Sequence, residues 1–178
     1  MSSHSMHPEG FKADGPVTHF LTEDHRRLET LLQSALNSGG RVDQVVYDRF
    51  RAGLLRHIGM EEKILLPTAQ RRRGGEPLSL AARLRLDHGA IAALLMPTPT
   101  TGLIATLRKI LDKHNMIEEG PEGLYETCDA LAGAESEQLL AQLRATPDLS
   151  VLPHADSPAV FGAVRRALAR AGYDDLGD

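Results

Sequence analysis

Apolar residues recur every three or four positions along four long stretches of the chain, the spacing that places them on one face of an α-helix. Stretches rich in glycine and proline interrupt this pattern, and such residues end helices. A shorter, less regular pattern follows, and a last amphipathic stretch begins after Ser157 and ends at Gly172. The predicted helices are residues 17–37, 42–70, 78–95, 103–119, 122–131, 135–143 and 158–171.

The connections between the four long helices are short, and short connections make neighbouring helices antiparallel. We therefore predict an all-α fold, an up-down-up-down four-helix bundle with extra C-terminal helices. The predicted divisions are a flexible N-terminal arm over residues 1–15, the bundle over residues 16–130 and a helical extension over residues 131–178.

Each long helix interrupts its apolar face with one histidine, and two of them add a glutamate four residues later. A single buried histidine is usually a core residue with a hydrogen-bond partner, but one on each of four inner faces is hard to assign to chance. Burying an unpaired carboxylate is costly, and no lysine or arginine lies on these faces. Metal ions would supply the missing positive charge. The predicted metal-binding residues are His25, His57, Glu61, His88, His114 and Glu118.

These residues also repeat along the chain. Residues 23–32 and 55–62 parallel residues 86–95 and 111–119, and each half contains Asp-His followed by His-x-x-x-Glu-Glu. A two-fold repeat of three metal-binding residues predicts two metal ions related by a pseudo-two-fold axis.

This arrangement resembles the hemerythrin-like family, also called the HHE cation-binding domain, over about residues 16–130. The resemblance implies a four-helix bundle around two non-haem iron ions joined by an oxo or hydroxo bridge. It also implies that the two histidines of each half bind one iron, and that Glu61 and Glu118 bridge both.

The chain departs from the oxygen-carrying hemerythrins at the third helix. Those proteins carry a second histidine four residues after the first, where this chain has Ala92. Their last helix also uses a longer spacing from histidine to aspartate, whereas this chain has His114-x-x-x-Glu118. Both irons would then have an open position, which favours reaction with a small oxidant.

We therefore expect the iron pair to react with peroxide, nitric oxide or oxygen. The alternative is a non-catalytic protein, either an iron or oxygen sensor or an iron donor for the repair of iron–sulfur centres. Reversible oxygen carriage is the disfavoured third interpretation. A ferritin-type site would need the motif Glu-x-x-His, and a zincin would need His-Glu-x-x-His; the motifs of this chain are neither. Zinc remains an alternative to iron for part of the site.

Several polar residues lie close to the predicted site in sequence. Adjacent helix residues point about 100° apart, so a carboxylate cannot orient the histidine beside it. It either reaches a histidine on another helix or is solvated, and we favour the solvated interpretation. Tyr125 and Cys128 could approach the metals, but a core or surface role is favoured. His19 and His154 are excluded as ligands. The four adjacent carboxylates are Asp24, Glu62, Asp87 and Glu119.

The composition of the chain limits the kinds of protein that could carry this site. The chain has 178 residues, 42% of them hydrophobic, which is enough for a buried core. A net charge of -4 gives no general attraction to nucleic acid or to membranes, and no apolar run could span a membrane. One cysteine and an N-terminus without an apolar signal sequence favour a soluble, cytoplasmic protein.

The last predicted helix, residues 158–171, has an apolar stripe on one side and a basic face on the other. We favour a helix docked on the bundle with a solvated basic face. Binding of a protein partner through this helix is the alternative.

Overall fold

The computed structural model describes residues 14–36 and 39–173, and within them the chain forms eight α-helices and no β-strand. The all-α prediction is confirmed. The predicted flexible arm lies outside the described residues except for Asp14 and Gly15. Every helix in the described part of the chain is too short or too polar to cross a membrane. The helices are α1 (Pro16–Leu36), α2 (Gln44–Met60), α3 (Leu66–Arg72), α4 (Ala81–Leu94), α5 (Thr101–Glu119), α6 (Leu124–Ala132), α7 (Ser136–Arg144) and α8 (Pro158–Ala171).

The helix predicted over residues 42–70 is continuous, but its middle part has a wider turn than an α-helix. A π-helical segment, Glu61–Leu65, joins α2 to α3, and the N–H of Leu66 donates to the carbonyl of Glu61 five residues earlier. Pro67 has no N–H to donate to the preceding turn, which favours a local widening of the hydrogen-bond ladder. The wide turn begins at Glu61, one of the predicted metal-binding residues, and such turns are frequent at functional sites.

Two apolar clusters form the core, and the predicted histidines lie between them along the chain. On α1, Leu21 belongs to one cluster and Leu28 to the other, with His25 between them. We call the cluster that contains Leu28 the first core cluster and the one that contains Leu21 the second. The same change of cluster occurs on the other long helices, between Leu54 and Met60, between Leu84 and Ile91, and between Ile110 and Ile117.

The last helix is part of this core. Helix α8 packs against α4, and its buried Val164 and Leu168 belong to the first core cluster. Its arginines Arg165, Arg166 and Arg170 are exposed. The structure therefore has the docked helix with an exposed basic face that we favoured. The division of the chain into a bundle ending at residue 130 and an extension beyond it stays a prediction.

Candidate metal centre

The structure brings all six predicted metal-binding residues together in the interior. All six are buried, with His25 the most exposed at 8%. They form two groups that share both glutamates, and within each group the donor atoms lie within 4.8 Å of one another. The first group is His25, His57, Glu61 and Glu118, and the second group is Glu61, His88, His114 and Glu118. Each group thus contains the two histidines of one half of the sequence repeat.

Helix geometry accounts for the contacts within each half. Residues four apart face the same side of a helix, so His57 Nε2 lies 3.1 Å from Glu61 Oε1 and His114 Nε2 lies 2.9 Å from Glu118 Oε1. Contacts between helices close each group. His25 Nε2 lies 3.4 Å from Glu118 Oε2, and His88 Nε2 lies 3.1 Å from Glu61 Oε2.

Both glutamates span the two groups. Glu61 directs Oε1 towards His57 and Oε2 towards His88, while Glu118 directs Oε2 towards His25 and Oε1 towards His114. One oxygen of each carboxylate is therefore available on each side. This is the disposition that two bridging carboxylates require.

The second group leaves buried polar atoms without hydrogen bonds. Glu61 Oε2, His88 Nε2 and Glu118 Oε1 are buried and have no hydrogen-bond partner. Their short separations allow electrostatic attraction, but the directions do not suit hydrogen bonds. Unsatisfied buried polar atoms are rare because each forfeits its hydration, so a shared positive ion is a natural partner for them. Imidazole nitrogen and carboxylate oxygen are ligands that iron and zinc accept, so the residues present fit a metal ion.

A second layer of carboxylates surrounds the histidines. Each histidine faces, through Nδ1, a carboxylate from a different element of the chain, and each of these carboxylates is the sequence neighbour of a predicted metal-binding residue. The pairs are His57 with Asp24 at 2.8 Å, His25 with Glu119 at 2.5 Å, His88 with Glu62 at 2.6 Å and His114 with Asp87 at 3.5 Å. The interpretation that these four carboxylates are solvated is wrong. A residue next to an inward-facing one points towards the seam with the adjacent helix, where it meets that helix's histidine.

Arginines complete this layer on the outside. Arg27 Nε donates to Asp24 at 2.7 Å, Arg83 Nη2 donates to Asp87 at 2.7 Å, and Arg85 Nε lies 3.3 Å from Glu62. Burial raises the pKa of Asp24, but His57 and Arg27 overcome this effect and lower it to about 2. Asp24 is therefore held ionised, as an acceptor for the N–H of His57.

The electrostatics of the site favour positive charge on the inner histidines and negative charge on the two glutamates. Burial by itself lowers the pKa of a histidine, but the facing carboxylates raise the pKa of His57 to about 10, of His88 to about 11 and of His114 to about 9. Burial raises the pKa of Glu61 and Glu118, but the facing histidines overcome it and hold both values below the usual range. Protons therefore compete with any metal ion for the same nitrogen atoms.

The structure adds one group that the sequence interpretation did not favour. The Tyr125 hydroxyl is fully buried and donates to Glu61 Oε1 at 2.6 Å. It also lies 3.0 Å from His57 Nε2, 3.1 Å from His25 Nε2 and 3.1 Å from Glu118 Oε2. Tyr125 has the core role that we favoured, because its ring is buried in the second core cluster, but its oxygen also reaches into the first group, which that role did not predict.

The remaining candidates lie outside both groups. Cys128 is buried in the second core cluster, and burial raises the pKa of its thiol to about 12, so it has the core role that we favoured. His19 is exposed, and His154 pairs with Asp48 at 2.8 Å.

A surface cavity of about 590 Å³ reaches the edge of the site. Its lining includes His25 and Glu119 together with Asn115 and the exposed Met116. His25 thus has one side in the first group and another at the cavity.

Comparison with known proteins agrees with the geometry. A family model, the hemerythrin HHE cation-binding domain, matches residues 17–132. The matched range includes all six inner donors, the four outer carboxylates and Tyr125, and it ends before α7 and α8. Comparisons with curated proteins and with solved structures found no match.

Proposed function

Because the chain belongs to the hemerythrin HHE cation-binding domain family, we propose that its six inner donors hold two non-haem iron ions that react with a small oxidant. The oxidants that suit the site are peroxide, nitric oxide and oxygen. In this proposal His25 and His57 bind one ion, His88 and His114 bind the other, and both glutamates bridge the pair. Metal binding by the buried cluster is the part that the family match and the geometry support most directly.

The disposition of Glu61 and Glu118 is the observation that carries this proposal. Each carboxylate offers one oxygen to each group of histidines, which suits two ions side by side better than a single ion. Tetrahedral zinc is fully coordinated by four protein ligands in a structural site, whereas iron accepts six donors. Four inner donors for each ion leave positions for a small molecule, and Ala92 adds no donor to the second group.

Iron bound here would supply a Lewis acid that also exchanges electrons. The chain's own residues prepare the site for it. Three of the outer carboxylates accept the Nδ1 protons of His25, His57 and His88, which directs Nε2 of each ring inward and raises its basicity. Burial of all six inner donors keeps bulk water away from the site. Solvent in the cavity reaches only the edge of the site at His25.

We also infer that α1, α2, α4 and α5 run antiparallel in sequence order. Along α1 and α4 the chain passes from the second core cluster to the first, and along α2 and its π-helical continuation, and along α5, it passes back. This alternation is the order that an up-down-up-down bundle would produce.

The alternative function is that of an iron or oxygen sensor, or of an iron donor for repair of iron–sulfur centres. The exposed arginine face of α8 favours this alternative, because it offers a basic surface to an acidic protein partner.

Metal analysis tests the proposal. Protein purified without a metal-affinity tag is loaded anaerobically with ferrous salt, and the iron bound per chain is measured. We expect two irons in the wild type and in His154→Ala, and neither iron in Glu61→Ala, because that carboxylate belongs to both groups. Circular dichroism checks that the variants fold.

Hydrogen peroxide added to the loaded protein then separates the functions. Oxygen evolution over many turnovers supports the enzyme, and two bound irons without turnover favour the sensor or donor. Two irons retained in a folded Glu61→Ala variant would overturn the proposed site.

A further inference from the structure

The Tyr125 oxygen contacts the whole of the first group. Its four neighbours at 2.6–3.1 Å are the donor atoms of His25, His57, Glu61 and Glu118. A phenol hydroxyl has one proton to donate and two lone pairs, so it satisfies at most three hydrogen bonds. Four close polar contacts around one fully buried oxygen are more than hydrogen bonding explains.

The spacing of these contacts is that of ligands around a common ion. Zinc binds imidazole nitrogen and carboxylate oxygen at about 2.1 Å, and for an ion with such bond lengths two ligands at right angles lie about 3 Å apart. The separations between the Tyr125 oxygen and the first-group donors span 2.6–3.1 Å, and the His57–Glu61 separation is 3.1 Å. The phenol oxygen is thus spaced from the other donors as a further ligand of the same ion would be.

The second group has no counterpart of Tyr125 among the described residues. In the first half of the repeat the residue seven positions after Glu61 is Thr68, as Tyr125 is seven after Glu118. Thr68 lies on α3, which continues straight on from the π-helical segment, and its hydroxyl accepts from Arg71 at 2.8 Å. Three inner donor atoms without hydrogen bonds, Glu61 Oε2, His88 Nε2 and Glu118 Oε1, accordingly lie on the side of the second group.

The turn between α5 and α6 produces this difference. A Cβ on Gly123 would lie 2.6 Å from the carbonyl oxygens of Glu118 and Gly120 and 2.7 Å from that of Ile117. Only glycine lets the chain turn back so closely after Glu118. The tight turn returns α6 over the first group and buries the Tyr125 ring in the second core cluster.

We propose that Tyr125 is a fifth protein ligand of the first metal position, so that the two metal positions have five and four protein donors. The inference rests on the proposed function, since it concerns the same pair of iron ions. The phenolic proton is released to solvent as the oxygen binds the ion. A phenolate is a hard, anionic donor and favours ferric over ferrous iron, and the second position keeps the larger number of sites for a small molecule.

Spectroscopy of the loaded protein tests this inference. Wild type, Tyr125→Phe and Tyr47→Phe are loaded with ferrous salt, oxidised in air and compared at equal iron content. Tyr47 is the matched control, because it is a buried tyrosine of the first core cluster outside both groups. We expect phenolate-to-iron(III) charge-transfer absorption in the visible, with phenolate vibrations enhanced in resonance Raman spectra, in wild type and Tyr47→Phe. Both signals should be lost in Tyr125→Phe, which still binds two irons.

The outcomes separate this inference from the function on which it rests. Two bound irons with identical spectra in wild type and Tyr125→Phe would overturn the tyrosine ligand and leave the iron site intact. Absence of iron from all three proteins would overturn the iron site and the tyrosine ligand together. If Tyr125→Phe does not fold, the Raman spectrum of the wild type decides, because ferric protein without phenolate vibrations has no tyrosine ligand.

Discussion

Single residues of the outer layer decide how well the inner histidines can bind a metal. Asp24, on α1, holds the Nδ1 proton of His57, on α2, and is itself held by Arg27. Because Nδ1 carries the proton in this pair, the ring is fixed in one tautomer. Its Nε2 then faces the first group. Glu119 and Glu62 contact Nδ1 of His25 and His88 in the same way, whereas Asp87 lies 3.5 Å from His114 Nδ1 without a hydrogen bond.

Asp24→Asn should lower the affinity of the first group for metal by about 10- to 100-fold, since loss of an outer partner of a ligating histidine has effects of that size. The amide keeps the volume of the side chain but removes the negative charge. Competition with a chelator of known affinity measures the change.

Asp48→Asn is the control for this prediction. Asp48 pairs with His154 at 2.8 Å, the same separation as in the Asp24–His57 pair, but away from both groups. Equal metal affinity in the two variants would show that the outer carboxylate does not act through His57.

At the scale of elements, two irregular segments shape the site. The π-helical segment begins at Glu61, and the neighbouring carboxylates of Glu61 and Glu62 face different nitrogens of the His88 ring, Nε2 and Nδ1. The turn Gly120–Gly123 ends α5 just beyond Glu118 and starts α6. Both segments depart from regular helix at the residues whose carboxylates face the histidines.

Gly123→Ala should destabilise the fold by about 1–3 kcal/mol, because the added methyl group would overlap backbone oxygens that cannot rotate away. It should also displace Tyr125 from the first group. Urea unfolding measures the stability, and the visible spectrum of the ferric protein reports the tyrosine.

Gly59→Ala provides the comparison. Gly59 is inside α2, and a Cβ there would meet nothing within 4 Å, so alanine should stabilise the protein by up to about 1 kcal/mol. A Gly123→Ala protein as stable as wild type would refute the close approach at the turn.

At the scale of the whole molecule, the C-terminal helix α8 and the residue after it contact both the core and the outer layer of the site. Leu168 is buried in the first core cluster beside residues of the long helices. Tyr173, just beyond α8, donates to Asp87 at 3.1 Å, and Arg83 donates to both Asp87 and the carbonyl of Ala171. Because the same contacts join α8 to the bundle and to the outer layer of the second group, we expect these parts to unfold together.

Leu168→Ala should therefore lower the free energy of unfolding by about 2–5 kcal/mol, with one transition seen both by far-ultraviolet circular dichroism and by release of metal. Leu152→Ala changes the same side chain where it is 80% exposed and should alter stability by no more than about 0.5 kcal/mol. A separate early transition in Leu168→Ala would mean that α8 and the bundle are independent units.

The sequence by itself determined the helices and the set of inner donors. Helices follow from spacing that is local to the chain, and the cap Ser157 is visible as a residue type at the start of the last helix. His25 and His57 could be placed on inner faces because the apolar residues around them define that face without knowledge of the partner helix.

Only the tertiary structure decided which residues meet across the helices. The pairing of Asp24 with His57 depends on how two helices are rotated against each other, and residue spacing within one helix carries no information about that rotation. Tyr125 was missed for a related reason. It follows a break in the helix, where the direction of the chain depends on the packing of the Gly123 turn against Glu118, so counting residues cannot bring its oxygen to the first group.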